Sequence, residues 1–214
     1  MARRNTKFDY VLACDFETTG LALGCLDPTY NEKTGERYQA VSAGLIVASA
    51  KTLKPLESLY VEIQHDERYV WNEGAERVHG LSREYLQKNG LSRFDAATKI
   101  IKFIEKYYGP IDEIRKIVMA GHNVATFDRY FLHELCTEVG VDLQLGNRHL
   151  DTFSNGFVLW GTTDSDEVFD VMGVVREEHN ALEDAELSLS TLRYMRQWFR
   201  QGAEALEAQN VNDN

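Results

Sequence analysis

The sequence predicts an α/β fold built on a mixed sheet. Strand candidates come first along the chain, helical periodicity then alternates with short strands, and the opening strand ends abruptly in a cluster of polar residues. That strand is Tyr10-Val11-Leu12-Ala13-Cys14, running on into Asp15-Phe16-Glu17-Thr18-Thr19-Gly20-Leu21. Small and apolar residues giving way to two carboxylates, two hydroxyls and a glycine read as a buried strand opening into a loop. Successive strand side chains alternate between faces, so Asp15 and Glu17 share one while Cys14 and Phe16 pack on the other.

The next connection, residues 23–39, carries Asp27-Pro28 and Asn31-Glu32-Lys33-Thr34-Gly35, the composition of an exposed turn or hairpin tip, and its length predicts that it borders the site. Residues 40–50 and 53–64 are rich in Val, Ile and Leu and complete a three-strand meander. From Trp71 the pattern turns helical. Short helices are expected over 73–79 and 82–88, the second capped by Ser82. Ser92 caps a longer one whose stripe is Phe94, Ala97, Ile101, Ile104 and Tyr108, stopped by Gly109-Pro110. Residues 116–120 form a brief strand entering Gly121-His122-Asn123. Thr126 opens a helix with the stripe Phe127, Phe131, Leu135 and Val139, ending at Gly140. A last short strand is expected over 149–152, and an acidic loop over 164–167 precedes a short helix to Gly173. The final helix begins at Asn180 with Glu183 three residues on, in the manner of a capping box. Its stripe is Leu182, Ala185, Leu189, Leu192 and Phe199. Arg193, Arg196 and Arg200 read as a solvated basic edge, and the polar residues from Gln201 onward are expected to fray.

At 214 residues the chain suits one sizeable domain. We expect it over 1–200, with a polar tail over 201–214. No apolar run reaches membrane-spanning length, and the start lacks the apolar stretch of a signal peptide, so the expectation is cytoplasmic with no membrane partner. Cys14, Cys25 and Cys136 are odd in number and scattered, giving neither a disulfide framework nor zinc-ligand spacing. The net charge of −11 opposes a long nucleic-acid footprint. A single-stranded end held by few phosphates and by base stacking remains compatible with it, above all if several acids hold divalent cations.

Two acids on one face at the end of a strand lie with Cα atoms roughly 6.5 to 7 Å apart. They repel unless a cation lies between them, and a pair of Mg²⁺ or Mn²⁺ ions about 3.5 to 4 Å apart fits that gap. The same Asp-x-Glu pattern recurs at Asp184 and Glu186, so alone it does not single out a site. Two later segments return polar residues to the carboxyl edge of the sheet, where ligands of such folds bind. The first is Gly121-His122-Asn123-Val124-Ala125-Thr126-Phe127-Asp128, and the second is His179-Asn180-Ala181-Leu182-Glu183-Asp184.

Together these residues resemble the DEDD superfamily of 3′-to-5′ exonucleases, also called DnaQ-like, in its histidine-bearing branch. Asp15 to Gly20 resembles its first motif, Asn123 to Asp128 its second, and His179 with Asp184 its third. Val78-His79-Gly80-Leu81 is similar to its intervening stretch. The resemblance implies a ribonuclease H-like fold, a mixed five-stranded sheet with helices on both faces. It implies Asp15, Glu17, Asp128 and Asp184 as ligands of two Mg²⁺ or Mn²⁺ ions and His179 as general base. Thr18, Thr19 and Leu21 would line the pocket for the last nucleotide, and Asn123 would orient the site. The implied reaction releases 5′-mononucleotides from single-stranded DNA or RNA 3′ ends, as in ribonuclease T or polymerase proofreading subunits. A homodimer or a polymerase association is the partner expectation it adds. Three other readings are a ribonuclease H-type endonuclease, a catalytically silent binding module on the same fold, and a calcium-stabilised structural domain.

Overall fold

The central strand is β1 (Tyr10–Thr18), and its side chains feed two separate cores. Leu12, Cys14 and Phe16 pack into the cluster beneath one face of the sheet, while Val11 and Ala13 join the cluster on the other. A strand buried on both sides needs apolar residues at every position, which is why this one reads as an unbroken run rather than an alternation. In a computed structural model of the chain, residues 8–113, 116–174, 176 and 179–212 are described, the last eight as backbone only.

The sheet has five strands in the order β3-β2-β1-β4-β5, where β2 is Ala40–Ser49, β3 Pro55–Glu62, β4 Ile117–Gly121 and β5 Leu145–Asp151. β1, β2 and β3 form the expected antiparallel meander, whereas β4 and β5 run parallel to β1. The carboxyl ends of β1, β4 and β5 therefore meet at one edge. Helices α3 (Arg93–Tyr108) and α4 (Asp128–Thr137) cover the Leu12 face, and α7 (Ala181–Asn212) covers the Val11 face. Short helices α1 (Glu73–His79) and α2 (Arg83–Asn89) follow the meander, and α5 (Thr152–Trp160) and α6 (Ser165–Asp170) follow β5. None of these helices is long and apolar enough to cross a membrane.

The caps lie where the sequence puts them. Ser82 Oγ accepts from Tyr85 N–H at 3.1 Å, Ser92 Oγ from Asp95 N–H at 3.1 Å, and Asn180 Oδ1 from Leu182 N–H at 3.0 Å. Several expectations are corrected. α4 starts at Asp128 because Phe127 holds the non-helical cap position and Thr126 belongs to the preceding turn. β5 starts at Leu145, and α5 follows it directly, capped by Asp151, whose side chain accepts from Phe153 N–H. α7 continues to Asn212 instead of fraying at Gln201, since Ala, Glu, Leu and Gln dominate that stretch and all are strong helix formers. Phe94 and Phe199 lie exposed, and α3 buries Ala96, Ile100 and Phe103 beside the expected Ala97, Ile101 and Ile104.

One glycine sets the approach of α7 to the sheet. Gly44 pairs with Asp15 across β1 and β2, and a Cβ there would collide with the Ala181 carbonyl and the Leu182 amide. The first turn of α7 thus rests directly on strand backbone. Gly44→Ala is expected to destabilise the protein by about 1–3 kcal/mol through overpacking against a backbone that cannot yield. Gly202→Ala, with nothing within 4 Å of the added carbon, is expected to be neutral or stabilising by up to about 1 kcal/mol. Urea unfolding of the two variants checks the contrast.

Candidate functional site

Three segments meet at the carboxyl edge of the sheet. β1 supplies Asp15 and Glu17 on the α7 face, where a register shift between Glu17 and Thr18 loosens the pairing with β2 as the strand leaves the sheet. The N-terminal end of α7 supplies His179, just before the helix, and Asp184, one turn inside it. The first residue of α4 supplies Asp128, which reaches across to β1. Asp128 Oδ1 accepts from Phe16 N–H at 3.0 Å, so the backbone amide between the two β1 acids anchors the third.

Asp15, Glu17, His179 and Asp184 line one cleft of about 280 Å³, and Asp128 is buried behind its wall. Ligand atoms of Glu17, His179 and Asp184 all lie within 4.8 Å of one another. His179 Nδ1 stands 4.0 Å from Asp184 Oδ2. The cleft also has an apolar rim of Leu21, Ala75, Val78, Phe127 and Phe169, the combination of apolar wall and convergent polar floor expected of a ligand site.

The other expected site residues are placed differently from one another. Thr18 lines the cleft, with its hydroxyl donating to Gly20 O at 3.0 Å, and Leu21 stands exposed at the mouth. Thr19 is buried and accepts from Gln39 N–H at 3.1 Å. Asn123 adopts a left-handed conformation at φ 58°, its amide donating to Asp151 Oδ1 and its side-chain oxygen met by the Thr126 hydroxyl. It shapes the turn that delivers α4 rather than the cleft surface. His79 and His122 both line the cleft: Leu81 N–H donates to His79 Nδ1 at 3.0 Å, and His122 spans Thr152 Oγ1 and the Thr163 carbonyl, each at 3.0 Å.

Four carboxyl groups in one partly dehydrated volume disfavour their own ionisation. Burial, then the charges of Asp128, Glu17 and Asp184, hold the Asp15 carboxyl well above the usual range. Glu17 is pushed up to about 7 by burial and by Asp184. Burial raises Asp128 against the Phe16 hydrogen bond, and raises Asp184 against an arginine. That arginine is Arg176, a cleft residue that sequence reading passed over. Next to Glu177 and Glu178 it looks like ordinary surface charge, and no motif or periodicity marks it.

The donor set suits a hard divalent cation. Asp128 Oδ2 and Asp184 Oδ1 are both buried with no hydrogen-bond partner among the described residues, an expensive condition for a carboxylate that a bound cation would relieve. Acid oxygens dominate the set, as Mg²⁺ and Mn²⁺ prefer.

No family model matches the sequence, and no curated protein matches it either. Solved structures do match in fold. Exonuclease I of E. coli in complex with an oligonucleotide superposes with a TM-score of 0.70 at 14% identity, over 93% of this chain and 43% of that one. The zinc ion bound form of the E. coli exonuclease I complex with single-stranded DNA gives 0.69 at 12% identity, over 94% and 43%. Exonuclease I of Methylocaldum szegediense gives 0.64 at 15% identity, over 89% and 41%. The mixed five-stranded sheet flanked by helices is the fold of these structures, and this chain spans about two fifths of their length.

The raised acids carry a stability consequence whose sign is fixed. A carboxyl group with a higher pKa in the folded than in the unfolded state costs stability only where it must ionise, so stability is full below the ordinary range and falls as pH rises through the folded value. For Glu17 that window runs from 4.5 to about 7. The melting temperature of metal-free protein is expected to fall between about pH 5 and pH 8 and to be recovered at the upper end by Mg²⁺, through binding linkage. A thermal melt that is flat across this range, with and without Mg²⁺, would count against the cluster.

Proposed function

We propose that this chain is a metal-dependent 3′-to-5′ exonuclease of the DEDD type, in its histidine-bearing branch, acting on single-stranded nucleic acid ends. The observation that carries the reading is the meeting of Asp15, Glu17, Asp128, Asp184 and His179, drawn from three remote segments, at the carboxyl edge of a sheet with the exonuclease I fold. Asp15, Glu17, Asp128 and Asp184 would hold two Mg²⁺ or Mn²⁺ ions. Such ions, when bound, lower the pKa of water and stabilise the oxygens of an in-line phosphoryl displacement.

The chain's own residues would do the rest. His179 has Nδ1 turned toward Asp184, which leaves Nε2 to take a proton from the attacking water. Its side chain is 38% exposed, so the proton can pass on to solvent. Leu21, Val78 and Phe127 offer apolar surface on which the terminal nucleotide rests, with Thr18 beneath it. Release of a 5′-mononucleotide follows from attack on the last phosphodiester. The acidic surface restricts the substrate to a short single-stranded end, because a duplex track needs many cationic phosphate contacts. The oligonucleotide and single-stranded DNA complexes of the structural neighbours favour DNA over RNA.

Digestion of matched 5′-labelled DNA and RNA strands with Mg²⁺, Mn²⁺ or chelator tests this. The expected result is a ladder shortening one nucleotide at a time, faster on DNA and absent with chelator. His179→Ala should slow it at least about a hundredfold, as loss of a general base does. Asp15→Asn should abolish it with an unchanged circular dichroism spectrum. Interior cuts, or strand binding with no mononucleotide released in any metal, would defeat the proposal.

A further inference from the structure

Arg176 is a charged side chain inside the cleft that the proposed chemistry leaves without a role. Its side chain is 9% exposed, and burying a guanidinium demands partners of matching geometry. It has three. Nη1 donates to Asp184 Oδ2 at 3.0 Å, and Nη2 lies 2.6 Å from Asp166 Oδ1 and 3.2 Å from Ser165 Oγ. The guanidinium also stands 5.8 Å from the centre of the Phe169 ring. One arginine thereby ties the first turn of α7 to the first turn of α6, both of which lend residues to the cleft lining.

The division of labour between the oxygens of Asp184 is informative. Oδ2 is held by Arg176, while Oδ1 is buried and has no partner among the described residues. Asp128 shows the same division, with Oδ1 held by Phe16 N–H and Oδ2 buried without a partner among the described residues. An aspartate carboxyl turns readily about its last torsion, which has broad wells. Holding one oxygen stops that rotation and decides which lone pairs remain for a cation. Orienting partners of this kind are worth about 10- to 100-fold in metal affinity.

We propose that Arg176 is a positioning residue that clamps Asp184 Oδ2 so that Oδ1 is presented to the metal, with Asp166 and Ser165 of α6 as the fixed end of the clamp. The inference rests on the metal-dependent reading of the cleft. It makes a prediction opposite in sign to simple electrostatics. Removing a positive charge beside a cation site should by itself strengthen metal binding. Loss of orientation should weaken it.

Mn²⁺ binding to the full chain, followed by calorimetry and by electron paramagnetic resonance of free Mn²⁺, reads the sign directly. Arg176→Gln is expected to weaken Mn²⁺ binding by about tenfold or more, with Arg176→Lys recovering part of the loss. Equal or tighter binding by Arg176→Gln would overturn the clamp and leave the metal site standing. Wild-type protein that binds no Mn²⁺ would overturn both. Should Arg176→Gln fail to fold, Asp166→Asn supplies the test, since it frees the fixed end at an exposed side chain. It should lose several-fold more affinity than Glu167→Gln, which removes an equal charge one residue away from a side chain with no bond to Arg176. Equal losses in those two variants would also sink the proposal.

Discussion

Repulsion between carboxylates is the constraint around which this molecule is arranged. Asp15, Glu17, Asp128 and Asp184 are brought into one poorly hydrated volume, and each is pushed toward its protonated form by burial and, for the β1 pair above all, by the others. The fold supplies what opposes this without an ion: the Phe16 amide on Asp128, the Arg176 guanidinium on Asp184, and the positive ends of α4 and α7 near both. These supports fall on Asp128 and Asp184, while the β1 pair is eased at a distance by the charge of Arg176. A divalent cation would act on all four acids at once, so the residual repulsion is itself a driving force for binding.

Holding such a cluster requires rigid supports, and they are reached by two routes. On the α7 face the support is direct contact, since the absence of a side chain at Gly44 lets the helix start rest on the strand pair that carries Asp15. On the other face it is a buried ionic network. Arg93 is 5% exposed, donates to both oxygens of Glu134 at 2.8 and 2.9 Å, and stands 4.4 Å from the centre of the Tyr69 ring, whose hydroxyl also meets Glu134. That network joins α3 and α4 to the segment ending at Asn72. Asn72 then donates its amide to Thr19 O and caps α1, the helix that lends Ala75, Val78 and His79 to the cleft wall.

The legible parts of the sequence were those where local chemistry decides the outcome. Ser82, Ser92 and Asn180 cap helices because their side-chain oxygens satisfy amides two or three residues on, a relation contained within the sequence window. The return of Asp128 and Asp184 to the edge that carries Asp15 was legible from the alternation of strands and helices, whereas their joint role as metal ligands was legible only through resemblance. Where tertiary contact decides, the reading failed. α5 was not read at all: of its residues Thr152 and Gly156 are buried, Gly156 against Val168 of α6, while Phe157 and Val158 face outward, so its apolar residues do not mark its core side. Phe94 and Phe199 fit their stripes by spacing yet face outward, since a three-and-four pattern does not say where the core ends along a helix. Arg176 was invisible for a related reason: it lies in the connection between α6 and α7, and its partner Asp166 is ten residues away, on α6.

The acidity of the chain bears on how it would hold a substrate. With 34 acids against 23 basic residues the surface as a whole repels phosphate, and the cleft floor repels it most strongly before any cation binds. The arginines found in the structure are largely committed, Arg93 to Glu134, Arg68 to Asp66 and Glu138, and Arg196 to the Lys51 carbonyl. Attraction for a nucleic-acid end would, on the proposed reading, come from ions held in the cleft and from the apolar rim of Leu21, Val78 and Phe127, both of which act at the terminus. On the proposed reading, a preference for ends needs no separate recognition device. It follows from a surface on which the metal-loaded cleft is the place where the sign of the field reverses.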